Sequence, residues 1–366
     1  MSVQQRWDAI RKLEQLRSSR VLVHFLSDRH AAHGVTAPGV VAQLASDAYP
    51  YIYEHVRAFG HPEKLDLFIH TAGGHLDAVW PLVQLLRSVT QDFRVIVPMK
   101  ALSGGTLICL GANTVVMTGP AQLSPIDPST ANAFNPGEGN QKIPISVEDV
   151  TSYLDLARGG EDSDDGASAG LKSDEHIVQV FKILAARVHP LALGNVKRVH
   201  KQIRAISRRL LELHLKGDDA DSRISKIVKT LTEELQSHSH LIGRVEATDI
   251  LGGDIVVAPT PEEEEAIWAL FALYEQRFEL RTSFSIKEWL GSDLEKDLNV
   301  IGGAIESAEL SHLFRAKSKI SQISQVPQGV QVQIPPGQRM PLVPGLPRSL
   351  VVEPISEGWY TNNEGD

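Results

Sequence analysis

Three stretches of the chain carry residue types and spacings suited to covalent chemistry. Residues 103–106 read Ser-Gly-Gly-Thr and open an apolar run that continues through Leu110. Residues 71–74 read Thr-Ala-Gly-Gly and follow the apolar run 65–70, and residues 123–128 read Leu-Ser-Pro-Ile-Asp-Pro. A serine at the start of a helix lies at the positive end of the helix dipole, where developing negative charge is favoured. A glycine pair lets backbone approach a ligand closely and offer N–H groups to that charge. Ser103 is therefore a candidate nucleophile, with Gly73, Gly74 and Gly104 as candidate oxyanion donors. Singly, each has a plainer use: serine commonly caps helices, and a Gly-Gly pair makes turns. The combination carries the reading, because both would end successive parallel strands and face one crevice at the carboxyl edge of the sheet, where open α/β sheets bind ligands.

The elements that must position these residues follow from pattern. Trp7, Ile10, Leu13 and Leu16, three apart, predict an amphipathic helix over 5–18. Apolar runs predict strands at 21–26, 65–70, 93–98 and 114–117, separated by helical patterns over 40–59, 76–88 and 104–110. That alternation is the signature of a parallel sheet. Residues 27–38 form a polar connection; its Asp28, His30 and His33 are metal-ligand types, but no further ligands cluster with them and the reading is a solvated loop. His70 and His75 flank the glycine turn, as cleft-lining groups, alternative bases or structural residues. Asp127 either orients a base or caps local amides in its Pro-Ile-Asp-Pro turn.

Thr71-Ala72-Gly73-Gly74 with Asp77-Ala78, then Ser103-Gly104-Gly105-Thr106, Met117 and Ser124-Pro125-Ile126-Asp127-Pro128, resemble the Clp protease/crotonase superfamily. Within it the chain is similar to the SDH proteinase (serine dehydrogenase proteinase) family, related to signal peptide peptidase A and the NfeD-type membrane proteases. The resemblance spans about residues 21–154, and departs at Ala72, where relatives usually carry proline. It implies an α/β fold with a Clp/crotonase-like parallel-sheet core and a helical C-terminal extension. It also implies peptide-bond hydrolysis through an acyl-enzyme on Ser103, polypeptide substrates, and assembly into a homo-oligomer.

For the general base, the resemblance offers two routes. Clp proteases place a histidine in the helical unit after the nucleophile, but the first histidine beyond Ser103 is His176, so that pairing is absent. Signal peptide peptidase A and NfeD-type enzymes use a lysine, which takes the serine proton once burial favours its neutral form. Lys142, in Asn-Gln-Lys-Ile-Pro-Ile at 140–145, falls about where the NfeD-type lysine does; Lys100, three residues before Ser103, is the second candidate. The plain reading of either is a solvated lysine.

Composition sets the outer limits. With 42% hydrophobic and 22% charged residues, the 366-residue chain is of ordinary globular type and long enough for a sizeable core. A net charge of −9 argues against general nucleic-acid binding. The basic residues Lys197, Arg198, Lys201, Arg204, Arg208 and Arg209 flank a narrow apolar helical stripe and read as a solvated face. Cys109 is the sole cysteine, which leaves no internal disulfide. The N-terminal residues lack a signal-peptide core, and no window has the apolar length of a membrane span, so a cytoplasmic location is expected. Zinc spacings, a Walker loop and a dinucleotide fingerprint are all missing, so no metal or cofactor is expected.

The expected organisation is a catalytic core over 1–157, an acidic mobile loop at 158–172, a mainly helical extension over 173–325, and a Pro/Gly-rich tail from 326 to 366. Two other function classes share the fold. A crotonase-type enzyme uses paired backbone amides to polarise an acyl-CoA thioester without Ser103, and a catalytically silent oligomeric scaffold keeps only the architecture.

Overall fold

The computed structural model describes residues 2–32, 36–126, 134–138, 141–143, 145, 147–158, 173–235, 240–325 and 346–362. Its strands are β1 Arg20–Leu26, β2 Lys64–His70, β3 Asp92–Val97, β4 Thr114–Met117, β5 Gln122–Leu123, β6 Gly137–Glu138, β7 Gln141–Lys142, β8 Ile242–Gly243, β9 Val256–Val257, β10 Glu295–Glu306, β11 Ser311–Ser324 and β12 Arg348–Thr361. Its helices are α1 Val3–Arg17, α2 Tyr49–Phe59, α3 Leu76–Arg87, α4 Gly104–Leu110, α5 Val147–Arg158, α6 Asp174–Arg187, α7 Pro190–Leu211, α8 Ala220–Lys229, α9 Arg244–Leu251, α10 Pro261–Arg277 and α11 Ile286–Leu290.

One mixed sheet organises the molecule, in the order β12-β11-β10-β1-β2-β3-β4-β9. Strands β1 to β4 and β9 run parallel, as the βα alternation predicts. Strands β10, β11 and β12 add an antiparallel wing beside β1. Alternate residues of each parallel strand face opposite layers. Leu22, Leu67, Val95 and Val115 pack with α2, α3, α4, α7, α8 and α9. Val23, Phe68, Ile96 and Val116 pack with α1 and α10. The result is a three-layer α/β core with its strand ends converging on one edge.

The helical reading of residues 295–319 is overturned. That segment and 348–361 form the antiparallel wing, in which Ile305, Leu313, Ala316 and Ile320 are buried while neighbours such as Lys317 face solvent. The predicted helix over 40–59 is likewise shorter: α2 begins at Tyr49, and residues 41–45 form a non-helical strip after a turn at Val40, with Val40, Ala42 and Leu44 buried and Val41 and Gln43 exposed. Asp127, His33 and the acidic segment 159–172 lie outside the described residues.

Two buried ion pairs bolt helices to the sheet. Arg6 of α1 donates twice to Glu306 of β10, both at 2.8 Å and both side chains fully buried, and Tyr274 and Ser311 also donate to that carboxylate. Arg17 similarly holds Asp66 of β2 and Glu263 of α10, each at 2.7 Å. Three of the basic residues of α7 are engaged within the chain: Arg204 with Glu233, Arg208 with Asp221, and Arg209 over the Trp80 ring. Among the described residues, no single helix is long and apolar enough to cross a membrane; Glu175–Arg187 and Pro190–Leu211 reach that composition only as a pair bent by 102°.

Candidate active site

Ser103 stands at the N-terminus of α4, and its side chain makes no capping hydrogen bond, which removes the plain reading of a helix cap. Its backbone has φ 50° and ψ −108°, a conformation an L-residue adopts only under strain. The strain is held from several sides. The Ser103 N–H donates to Ser124 Oγ at 2.8 Å, the Leu102 N–H to Thr71 O at 3.1 Å, and the Thr106 hydroxyl to Ala101 O and Ser124 O. Sequence reading gave Ser124 and Thr106 only as parts of motifs; their work is to clamp this turn.

Gly73 lies against Ser103, and Gly74 against the backbone of Leu44 and close to Gly104. A Cβ on Gly73 would sit 2.9 Å from Ser103 Cβ, and one on Gly74 2.3 Å from the backbone N and O of Leu44, so neither position has room for a side chain. Their φ values of 110° and 154° also favour glycine. The extended strip at 42–45 runs parallel to this turn: the Leu44 N–H donates to Gly73 O at 2.9 Å and the His75 N–H to Leu44 O at 2.8 Å. Gly73 uses its own N–H on Thr71 Oγ1 at 3.0 Å and so shapes the turn. The Gly74 N–H has no acceptor among the described residues, and the Gly104 N–H is one of the unpaired donors at a helix start. Gly104 packs close by, since a Cβ there would lie 3.6 Å from Gly74 N.

The lysine candidates are placed differently. Lys100 donates to Asp28 Oδ2 at 2.7 Å, and the other oxygen of Asp28 meets His70 Nε2 at 3.0 Å. Burial works to raise the Asp28 carboxyl, but the hydrogen bonds and charges of His70 and Lys100 outweigh it and hold it below the usual carboxylate range. The segment read as a solvated metal-type loop thus supplies the acid of a half-buried ion pair. His70 is itself buried and stacks on Phe25 at 4.5 Å, while His75 is exposed at the start of α3. Lys142 lies in a two-stranded hairpin with its backbone opposite Gly137, and the following Ile145 packs on Ala192 and Val196 of α7. Among the described residues, no group of three or more His, Cys, Asp or Glu gathers as a metal site.

Beside the amides opens an apolar cavity of about 250 Å³. Leu44, Ile52, Val79, Leu82 and Ile108 wall it, Tyr49, Pro50 and Pro81 stand at its exposed rim, and His24 of β1 lies buried within it. Neither ring nitrogen of His24 has a hydrogen-bond partner. Burial lowers its pKa to about 4. Nothing in the sequence marked this histidine, because it sits inside an apolar strand run.

Residues 1–148 match the family model of the ClpP-like SDH-type serine proteinases. It is the family that the Ser-Gly-Gly and Gly-Gly motifs indicate. Two uncharacterized proteins of Methanocaldococcus jannaschii are similar in sequence. One is 27% identical over 267 residues, covering 73% of this chain and 77% of the relative. The other is 29% identical over 128 residues, covering 34% and 42% respectively. Two solved structures of a 1510-N membrane-bound stomatin-specific protease also align, each 13% identical. One variant covers 65% of this chain and 81% of its own, with a TM-score of 0.34. The other, in complex with a substrate peptide, covers 67% and 78%, with a TM-score of 0.35.

Proposed function

We propose that the chain is a serine peptidase of Ser-Lys type with Ser103 as nucleophile. The observation that carries this is the strained, uncapped Ser103 at a helix N-terminus, packed against a glycine turn and beside two amides without acceptors among the described residues. Ser103 Oγ attacks the peptide carbonyl while its proton passes to the base, and the Gly74 and Gly104 N–H groups hold the oxyanion. The carbon–nitrogen bond then breaks, the base returns the proton to the leaving amine, and water hydrolyses the ester.

Lys142 is the base in this proposal, supported by the commitment of Lys100 to Asp28. Lys100 then helps fix the loop at the crevice. Polypeptide substrates, a cytoplasmic site of action and assembly of copies into a homo-oligomer belong to the same proposal; cell fractionation and mass photometry address the last two.

The test is labelling with a fluorophosphonate probe, read by intact mass and by the modified peptide. Wild type is expected to gain one label on Ser103, Ser103→Ala and Lys142→Ala none, and Lys100→Ala to retain it. A folded wild type that never labels sinks the proposal, and label lost in Lys100→Ala but kept in Lys142→Ala reverses the base.

A further inference from the structure

The apolar cavity beside the glycine amides holds one unexplained polar group. His24 is 2% exposed, both of its ring nitrogens lack partners, and its nearest aromatic neighbour, Trp359, is a ring contact at 6.2 Å rather than a hydrogen bond. Folded chains rarely leave a buried polar side chain unpaired, and each exception calls for an explanation. A resident water is a poor one, because a buried water needs two to four polar partners, the buried walls here are Leu44, Ile52, Val79, Leu82 and Ile108, and the hydroxyl-bearing residues of the lining, Ser46 and Tyr49, are exposed.

We infer that His24 is a specificity-determining residue, and that the cavity takes the para-hydroxyphenyl side chain of a tyrosine with its hydroxyl on the His24 ring. This rests on the peptidase reading for its catalytic consequence, but not for the binding itself.

Size, polarity and position each point to that occupant. An engineered apolar cavity of about 150 Å³ holds benzene, so about 250 Å³ accommodates a substituted ring. A neutral imidazole has one donor and one acceptor nitrogen, and a phenolic hydroxyl both donates and accepts, whereas an indole N–H only donates. The ring stays uncharged near neutral pH because burial lowers its pKa to about 4, so it offers no charge to a carboxylate or phosphate. Leu44 and Val79 wall the cavity and also stand 3.2 and 3.6 Å from where a Gly104 Cβ would be. A side chain seated there therefore emerges next to the amides that would hold its own carbonyl.

The experiment uses the full chain with 4-ethylphenol and ethylbenzene as probes, their binding measured by calorimetry on wild type, Ser103→Ala, His24→Phe and Ala45→Trp. The phenol should bind wild type and Ser103→Ala about tenfold more tightly than ethylbenzene, as one neutral hydrogen bond in an apolar site allows. His24→Phe should abolish that preference, and Ala45→Trp, at the cavity mouth, should block both probes. Equal affinity of the two probes for wild type, no binding of either, or an undiminished preference in His24→Phe overturns the inference. Because the Ser103→Ala protein is part of the binding series, that failure is separate from any failure of the peptidase reading. Cleavage of matched peptides then follows: with His24 present, a tyrosine before the scissile bond should be favoured over phenylalanine by about tenfold in kcat/KM, and equal rates count against the assignment.

Discussion

Replacing Ser103 by glycine should make the protein more stable while removing the hydroxyl of the proposed nucleophile. At φ 50° and ψ −108° the Ser103 backbone lies outside even the left-handed helical basin. Strain of this kind costs on the order of 1–3 kcal/mol for a residue with a Cβ. Glycine relieves it but brings back roughly 0.5–1 kcal/mol of unfolded-chain entropy. The clamp on this position survives the change, because the Ser103 N–H bond to Ser124 Oγ belongs to the backbone. The net expectation is a gain of about 1 kcal/mol for Ser103→Gly. Ser103→Ala, which keeps the Cβ and thus the strain, should stay within about 0.5 kcal/mol of wild type. Urea unfolding followed by tryptophan fluorescence and circular dichroism reads both variants, and equal slopes confirm that the midpoint shift is a stability change. If glycine destabilises by 1 kcal/mol or more relative to alanine, the strain argument fails, and with it the view that this turn is held for chemistry at the expense of stability.

Gly74→Ala would drive a Cβ to within 2.3 Å of Leu44 backbone atoms, so the turn or the 42–45 strip must shift; labelling of Ser103 should fall at least a hundredfold while far-UV circular dichroism changes little. Arg6→Met should destabilise by about 3–5 kcal/mol in urea, because it leaves the fully buried Glu306 carboxylate without its cation; a loss below about 1 kcal/mol would show the carboxylate becoming neutral at little cost. Acid should weaken the fold before it reaches the carboxylates. Burial and the neighbouring His312 lower His55 to about 3, and burial lowers His24 and His214 to about 4, so protons bind the unfolded chain first. Their stabilisation is complete above the ordinary histidine value and declines as pH falls through it toward the folded values. Between about pH 6.5 and 5 each contributes a loss of roughly 2 kcal/mol. His55→Gln should therefore show a shallower decline than wild type over that interval, and an identical slope would exclude His55 from the effect.

The parallel half of the sheet and the position of Ser103 at a helix start beside the glycine turn were legible because their signals are local. Short apolar runs end in Thr-Ala-Gly-Gly or precede Ser-Gly-Gly. What escaped had ambiguous or remote causes. Val40, Ala42 and Leu44 alternate with exposed residues, a period of two, but the helical pattern of 49–59 absorbed them into one element. Strands β10 and β11 mix Lys, Ser and isoleucine closely enough to pass for helix, and only pairing with β1 and with each other decides the matter. Strand β12 follows a Pro/Gly-rich stretch whose composition colours the whole end of the chain. The placements of Ser124 and Asp28 depend on contacts 21 and 72 positions away in the chain, with Ser103 and Lys100, and no sequence pattern encodes those.

The antiparallel wing also bears on how much chain the segment 1–148 requires. Both outer strands of the segment 1–148 have late partners: β1 is covered by β10, and β4 by β9. Cut at residue 148, the core would present two bare strand flanks, each a row of unsatisfied N–H and C=O groups able to template pairing with another chain. The later residues thus act as selvedges that finish the fabric on both sides. During synthesis the early strands must wait for them, so the nascent core passes through an interval in which self-association competes with folding.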